Sequence, residues 1–288
     1  MNAIPTSTET VPRSFPYERW SRELGELSQK YAENKPFKHI ALNDFLDEDI
    51  ARRVVAEFPG PSETSWTQYK HYNENKLGQP HRDKFPPTIR RLFEEFLTPE
   101  FVSWLSELVG IEGLLPDPDL EGGGMHQTER GGFLNIHADF TMHPHKSHWR
   151  RRVNLILYLN EGWEDDWGGA LEFWDRDMQN CVTKVPPLFN HAAIFSTDEH
   201  SYHGYPDHLT CPPDRNRKSL ALYYFTEEET PQQPPQWTDY RARPGDGMRG
   251  AFIWLDKKMV ALYSRIKRRF NLSDDFASRV LGFFSRKK

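Results

Sequence analysis

At 288 residues, with 37% hydrophobic and 14% aromatic residues, the chain has the material for a packed core and too many aromatics for a disordered one. A net charge of −5 and a pI near 6.2 offer no bulk attraction for nucleic acid, and two cysteines, Cys181 and Cys211, are too few for a disulfide scaffold. The N-terminal stretch lacks the apolar segment of a signal peptide, and no apolar run reaches the roughly 20 residues of a membrane helix. The expectation is a cytoplasmic protein without a membrane span.

Residues 1–15 are polar with two prolines and read as a flexible tail. Trp20, Leu24, Leu27 and Tyr31 recur at helical spacing over residues 17–31, and a short strand is expected at 37–42. Asp47 then stands where a cap would start a helix carrying Ile50, Val54, Val55 and Phe58, stopped by Pro59 and Gly60. Residues 60–87, rich in Ser, Asn, Pro and charge, read as a long loop. Helical spacing resumes from Thr88 to Val109.

From Gly124 to Thr226 the pattern changes to short alternating or β-branched segments punctuated by Gly, Pro and Asn: 132–140, 153–159, 170–174, 192–196 and 219–226. Strands without intervening helices suggest an antiparallel barrel or jelly roll. After the proline-rich joint 231–235, Phe252, Leu255, Met259, Leu262 and Ile266 form a helical stripe, with Lys257, Lys258, Arg265, Arg268 and Arg269 off it. That basic helix is expected to pack on the barrel or on a partner subunit, giving a homodimer, in preference to membrane or nucleic acid. The organisation is thus a tail (1–15), N-terminal helices and a strand packing on the core (16–123), the core itself (124–228) and a C-terminal helical extension (229–288).

The chemistry starts at FLNIHADF, residues 133–140. Side chains alternate on a strand, so Asn135, His137 and Asp139 share one face, opposite Leu134, Ile136, Ala138 and Phe140. A His and an Asp two residues apart supply two of the three ligands of a two-histidine-one-carboxylate metal site, which leaves coordination positions open. The third ligand is expected from His203 in DEHSYHGYP, with His200 as its rival. In NRKSLALYYFT, Arg217, Ser219, Ala221 and Tyr223 share a face, and the Arg217–Ser219 pair can grip a carboxylate. Tyr158, in RVNLILYLN, points inward by the same alternation and can donate its hydroxyl to that carboxylate.

The set HAD, RVNLILYLN, GGALEFW, HGYP and RKSLALYYFT, in that order over residues 124–228, resembles the iron(II)- and 2-oxoglutarate-dependent dioxygenases of the prolyl 4-hydroxylase-like group. FKHIALNDFLDEDIARRVVAEFP resembles the strand and helix that precede their barrel. The resemblance implies a mainly β protein with flanking helices, α+β overall, built on a double-stranded β-helix of the jelly-roll, cupin-like kind. It implies His137, Asp139 and His203 as iron ligands and the catalytic centre, and Arg217, with Tyr158 and Ser219, as the grip on 2-oxoglutarate. Gln127 stands where many relatives have a tyrosine beside the co-substrate. An inserted-looking PDHLTCPPD keeps Arg215 as an alternative to Arg217.

Fe(II), 2-oxoglutarate and O2 are the implied cofactors, with ascorbate as a reductant. The reading is hydroxylation of an amino-acid, peptidyl-prolyl or natural-product substrate. Its alternatives are desaturation, ring formation or halogenation with the same cofactors, and a non-catalytic metal-binding jelly-roll sensor. HPHKSH (143–148) and the adjoining Arg150, Arg151 and Arg152 read as a solvated or substrate-facing loop, suited to an acidic or phosphorylated substrate, rather than a second metal site. Gly168 and Gly169 read as a turn, and the two cysteines as ordinary thiols.

Overall fold

A computed structural model describes residues 13–229, 236–256 and 258. Helix α1 (Tyr17–Glu33) buries Trp20, Leu24, Leu27 and Tyr31, the residues whose spacing marked it. Strand β1 (His39–Leu42) and helix α2 (Glu48–Glu57) follow. The helical spacing from Thr88 to Val109 belongs to two helices, α3 (Pro87–Phe96) and α4 (Pro99–Val109). Pro99 lacks the N–H to continue α3, and the Thr98 hydroxyl caps α4 by accepting from the Phe101 N–H at 3.3 Å.

The remaining strands are β2 (Thr67–His71), β3 (Glu74–Gln79), β4 (Leu115–Pro116), β5 (Gly124–Thr128), β6 (Phe133–Ala138), β7 (Trp149–Tyr158), β8 (Leu171–Trp174), β9 (Cys181–Val185), β10 (His191–Ser196), β11 (His203–Tyr205), β12 (Arg217–Glu227) and β13 (Asp239–Tyr240). All pair antiparallel. One wall runs β1-β10-β7-β12-β5, the facing wall β6-β11-β8-β9, and β3 joins them by pairing with both β5 and β6.

Alternation divides each strand between two environments. Val153, Leu155 and Leu157 of β7, Ile194 of β10 and Leu220 and Leu222 of β12 face the helices and form the main core with them. Tyr158, Ala193 and Phe195 turn inward and meet Leu171, Phe173 and Val185 of the opposite wall. Full burial of a side chain of this size contributes about 1.5–3 kcal/mol, so the helical layer anchors the first wall while the interior between the walls is left for polar groups.

Three expectations change. The tail ends before residue 14: Ser14 and Phe15 donate their backbone N–H to the Glu95 carboxylate, and the Phe15 ring is buried 5.0 Å from Phe101 and 4.6 Å from Trp104. Residues 60–87 are not a loop but carry the β2–β3 hairpin. Its strand pattern was hidden because charged Glu74 and Lys76 face the interior, where an apolar residue is expected. The basic extension also differs where it can be followed. Residues 248–256 are helical, yet Phe252 and Leu255 of the stripe are exposed and Ile253 makes the inward contact. Met259, Leu262 and Ile266, the joint 231–235 and the basic residues beyond 258 lie outside the described residues, as does any dimer they would form. Among the described residues, no helix is long and apolar enough to cross a membrane, and both cysteines are free thiols.

Candidate active site

Strands β6 and β11 are hydrogen-bonded neighbours in which His137 stands opposite His203. The approach is close: a Cβ on Gly204 would lie 2.8 Å from the backbone oxygens of Leu134 and Asn135, so only glycine fits after His203. His137 Nδ1 lies 2.9 Å from the Asn135 carbonyl oxygen and His203 Nδ1 2.8 Å from that of Ser201. A carbonyl can only accept, so each Nδ1 carries the proton and each Nε2 keeps a lone pair for a ligand. Asp139, one residue past β6, places Oδ1 3.6 Å from His137 Nε2 and Oδ2 3.5 Å from His203 Nε2. One ligand atom from each residue falls within 4.8 Å of the other two. Atoms each about 2 Å from a shared ion stand roughly 3–3.5 Å apart, so this donor set fits a divalent metal.

The electrostatics suit that role. Burial drives the His203 imidazole down to about 4, which keeps it neutral. Burial opposes ionisation of Asp139, but the Arg151 guanidinium holds the carboxyl well below its usual range. Arg151 was expected in a solvated or substrate-facing loop; it is instead fully buried, 3.4 Å above the Tyr223 ring and 4.6 Å from that of Phe140. Its Nη2 makes an ion pair with Asp139 Oδ2 at 2.9 Å, although not in hydrogen-bond alignment. Its Nε donates to Asn154 Oδ1, and Asn154 Nδ2 donates in turn to Asp139 Oδ2, both at 2.8 Å. Partners behind a metal ligand commonly matter 10- to 100-fold. Asn154→Ala is therefore expected to weaken metal binding by roughly that factor, read by metal titration of a variant with unchanged circular dichroism. Equal affinity would remove Asn154 from the site.

Below the cluster lies a cavity of about 210 Å³. Arg217, from the inward face of β12, is buried; its Nε donates to the Gly169 carbonyl at 2.7 Å and its Nη2 to the Tyr158 hydroxyl at 3.3 Å. Gly169 (φ +79°) is required there, because a Cβ would sit 3.0 Å from Arg217 Cδ. Ser219 lines the same cavity, cross-strand from Tyr158 and His126. Arg215 is exposed and His200 stands beside Arg176, so neither reaches the cavity.

Two readings of β5 and β6 need correction. Gln127 does not face the cavity; its amide donates to the Pro59 carbonyl and accepts from Asn216, each at 3.2 Å, on the far side of β5. His126 and Thr128 face inward instead. The signal was in the alternation, since Gln127 shares its face with the buried Met125. On β6, a bulge sets Leu134 through His137 against only His203 through Tyr205, so Leu134 and His137 face the cavity while Asn135 turns to Asn73.

Sequence reasoning also missed Tyr205, whose hydroxyl pairs with Thr128 at 2.9 Å and whose ring lies 4.0 Å from the Arg217 guanidinium carbon. It missed Lys76, 3.2 Å from Glu74 in the cavity wall. Glu74 leads on to His71 (2.8 Å) and His71 to Asp256 (2.7 Å). Burial alone would lower His71, but the two carboxylates raise it to about 9.

In the second candidate cluster, Asp117, Asp119 and His143, a lysine already neutralises the carboxylates. Lys146 Nζ lies 2.8 Å from both carboxylates, and His143 Nδ1 accepts two backbone N–H groups, while its Nε2 lies 3.3 Å from Asp117 Oδ2 without hydrogen-bond alignment. His143 is therefore a buried anchor of its loop, not a solvated group.

Residues 123–225 match the 2OG-Fe(II) oxygenase superfamily. Over 239 residues the chain is 25% identical to mouse (Mus musculus) prolyl 3-hydroxylase OGFOD1, a match covering 80% of this chain and 40% of that protein. The chain thus spans well under half the length of this curated relative. A Pseudomonas putida prolyl-4-hydroxylase structure, 20% identical, superposes with a TM-score of 0.50 over 71% of this chain and 100% of that one. A Trichoplax adhaerens prolyl hydroxylase, solved with a hypoxia inducible factor peptide, is 16% identical with a TM-score of 0.51 over 75% of this chain and 94% of its own. Both support the double-stranded β-helix fold.

Proposed function

On the premise that residues 123–225 belong to the 2OG-Fe(II) oxygenase superfamily, we propose that the chain is an iron(II)- and 2-oxoglutarate-dependent dioxygenase that hydroxylates an unactivated C–H bond. The observation that carries this is the pairing of two features in one cavity: three convergent ligand atoms from His137, Asp139 and His203, and the buried cation Arg217 below them. A metal-binding sensor has no use for the second.

His137, Asp139 and His203 would hold iron(II), and Arg217, with Tyr158 and Ser219, would receive the distal carboxylate of 2-oxoglutarate. The bound group supplies the oxidation, in which 2-oxoglutarate and O2 give succinate, CO2 and one oxygen atom for the substrate. The chain's own part is orientation and exclusion. Asn154 and Arg151 fix the Asp139 carboxylate, the two backbone carbonyls fix the imidazole tautomers, and the helix-backed wall keeps bulk water from the cavity floor. Among the substrate classes, a peptidyl proline is favoured by the names of the relatives and by the tyrosines that line the cavity, Tyr69, Tyr223 and Tyr240, which suit a compact neutral ring.

The test is 2-oxoglutarate turnover with iron, ascorbate and proline-containing peptides, with succinate and a product one oxygen heavier as readouts. Succinate formation without iron, or none with any peptide or extract, would sink the reading. The outcome should be hydroxyl transfer even in excess chloride or bromide. Asp139 fills the position a halide would need, so a halogenated product from the wild-type chain would overturn that assignment.

A further inference from the structure

The metal donors and Arg217 lie within residues 123–225, but part of the cavity wall comes from outside that stretch, from the β2–β3 hairpin. Alternation on β3 turns both Glu74 and Lys76 inward. Lys76 Nζ lies 3.2 Å from Glu74 Oε2 and 5.5 Å from the centre of the Tyr69 ring. Burial opposes its charge, but the Glu74 carboxylate raises its pKa and keeps the ammonium protonated. Glu74 does not serve Lys76 alone, because its other oxygen pairs with His71 at 2.8 Å. An ammonium has three N–H donors, and among the described residues Glu74 is the single acidic partner of this one.

The charges facing the cavity do not balance. Among the described residues, three cations line it, Lys76, Arg151 and Arg217, against two carboxylates, Glu74 and Asp139. His126 adds no charge, since burial and the neighbouring Lys76 push it down to about 3. Behind Glu74, His71 and Asp256 pair with each other and cancel. A ferrous ion would bring two positive charges and 2-oxoglutarate two negative ones, so the loaded cavity keeps one positive charge unmatched. A charge withdrawn from water without a partner is costly, and an anionic ligand removes that cost. Arg151 is held by Asp139 at 2.9 Å, and Arg217 is committed to the distal carboxylate of 2-oxoglutarate. Lys76 is the cation with donors to spare.

We propose that Lys76 receives a carboxylate of the substrate, so that the molecule oxidised here is an anion. This rests on the oxygenase reading and narrows its substrate class. Lys76 is close to Tyr205, whose ring lies against Arg217, and to Tyr223, whose ring lies against Arg151, so a carboxylate on it shares the cavity with the metal donors. The tyrosines suit the ring of a proline, and the ammonium among them suits an acidic group beside that ring. That group is either the proline's own carboxylate at a chain end or the side chain of an adjoining acidic residue.

The experiment is anaerobic calorimetry on the full chain loaded with iron and 2-oxoglutarate. Two pairs of ligands differ in charge and little in shape: N-acetylproline against N-acetylprolinamide, and acetyl-Pro-Asp-amide against acetyl-Pro-Asn-amide. The acid of one pair is expected to bind about 10- to 100-fold more tightly than its neutral partner, the worth of a charge-assisted hydrogen bond. Which pair shows the difference identifies the carboxylate. Lys76→Gln should bring acid and neutral partner level, and Lys76→Arg should keep part of the preference. In both variants the absorption band of bound 2-oxoglutarate should titrate near its wild-type midpoint. Wild-type protein that binds 2-oxoglutarate but prefers neither acid overturns the proposal. So does a preference that survives Lys76→Gln, or loss of the band in that variant, which would give Lys76 to the co-substrate. Absence of the band in wild type would instead sink the oxygenase reading itself, and the charge count with it.

Discussion

Arg217→Glu is expected to abolish 2-oxoglutarate binding while leaving metal binding largely intact. The guanidinium is buried, held by Gly169 and Tyr158, and stands in the cavity with no acidic partner within ion-pair distance among the described residues, so an incoming carboxylate completes it. Losing one partner of a buried pair costs about 3–5 kcal/mol, and the reversal adds repulsion between carboxylates. At roughly tenfold per 1.4 kcal/mol, affinity should fall by more than about 10²-fold. Anaerobic titration of the iron-loaded protein reads this directly, through the absorption band that 2-oxoglutarate produces on binding iron. Arg217→Lys should retain weak binding, and Arg215→Glu should match wild type, because Arg215 is exposed. Full binding by Arg217→Glu would place the co-substrate elsewhere.

His203→Ala is expected to remove stoichiometric iron binding, and with it all turnover. The imidazole is one of three ligand groups, and its Nε2 is fixed toward Asp139 by the bond from Nδ1 to the Ser201 carbonyl. A water replacing it would lack that fixed position. His200→Ala, three residues away, should bind iron as wild type does, since His200 lies beside Arg176 in a separate surface cleft of about 690 Å³. Metal content after reconstitution and dialysis distinguishes the two variants. Loss in His200→Ala with retention in His203→Ala would transfer the ligand to His200.

What the sequence made legible was whatever obeyed a short period. Val153 through Leu159 and Arg217 through Tyr223 alternate strictly, so the faces that bear Tyr158 and Arg217 could be assigned before any coordinates. The spacing of His137 and Asp139 was equally readable. Regularity failed at the bulge in β6, which sends Asn135 away from its expected neighbours. Chemistry that depends on tertiary neighbours was hidden. Arg151 sits in a run of three arginines that looks like a solvated surface, and only the Tyr223 and Phe140 rings and the Asp139 carboxylate explain its burial. The β2–β3 hairpin was hidden for the same reason, because Glu74 and Lys76 neutralise each other inside a wall.

The facing of His137 and His203 across β6 and β11 also bears on folding. The two residues are far apart in sequence, and β11, at three residues, offers few backbone bonds to hold its end of the pairing. Closing a chain segment of that length costs roughly 4 kcal/mol of conformational entropy. An ion shared by the two imidazoles would act as a removable crosslink across this gap. Chelation would then loosen the second wall as well as remove the reactive centre, and the metal would serve as a late folding ligand before it served as a reagent.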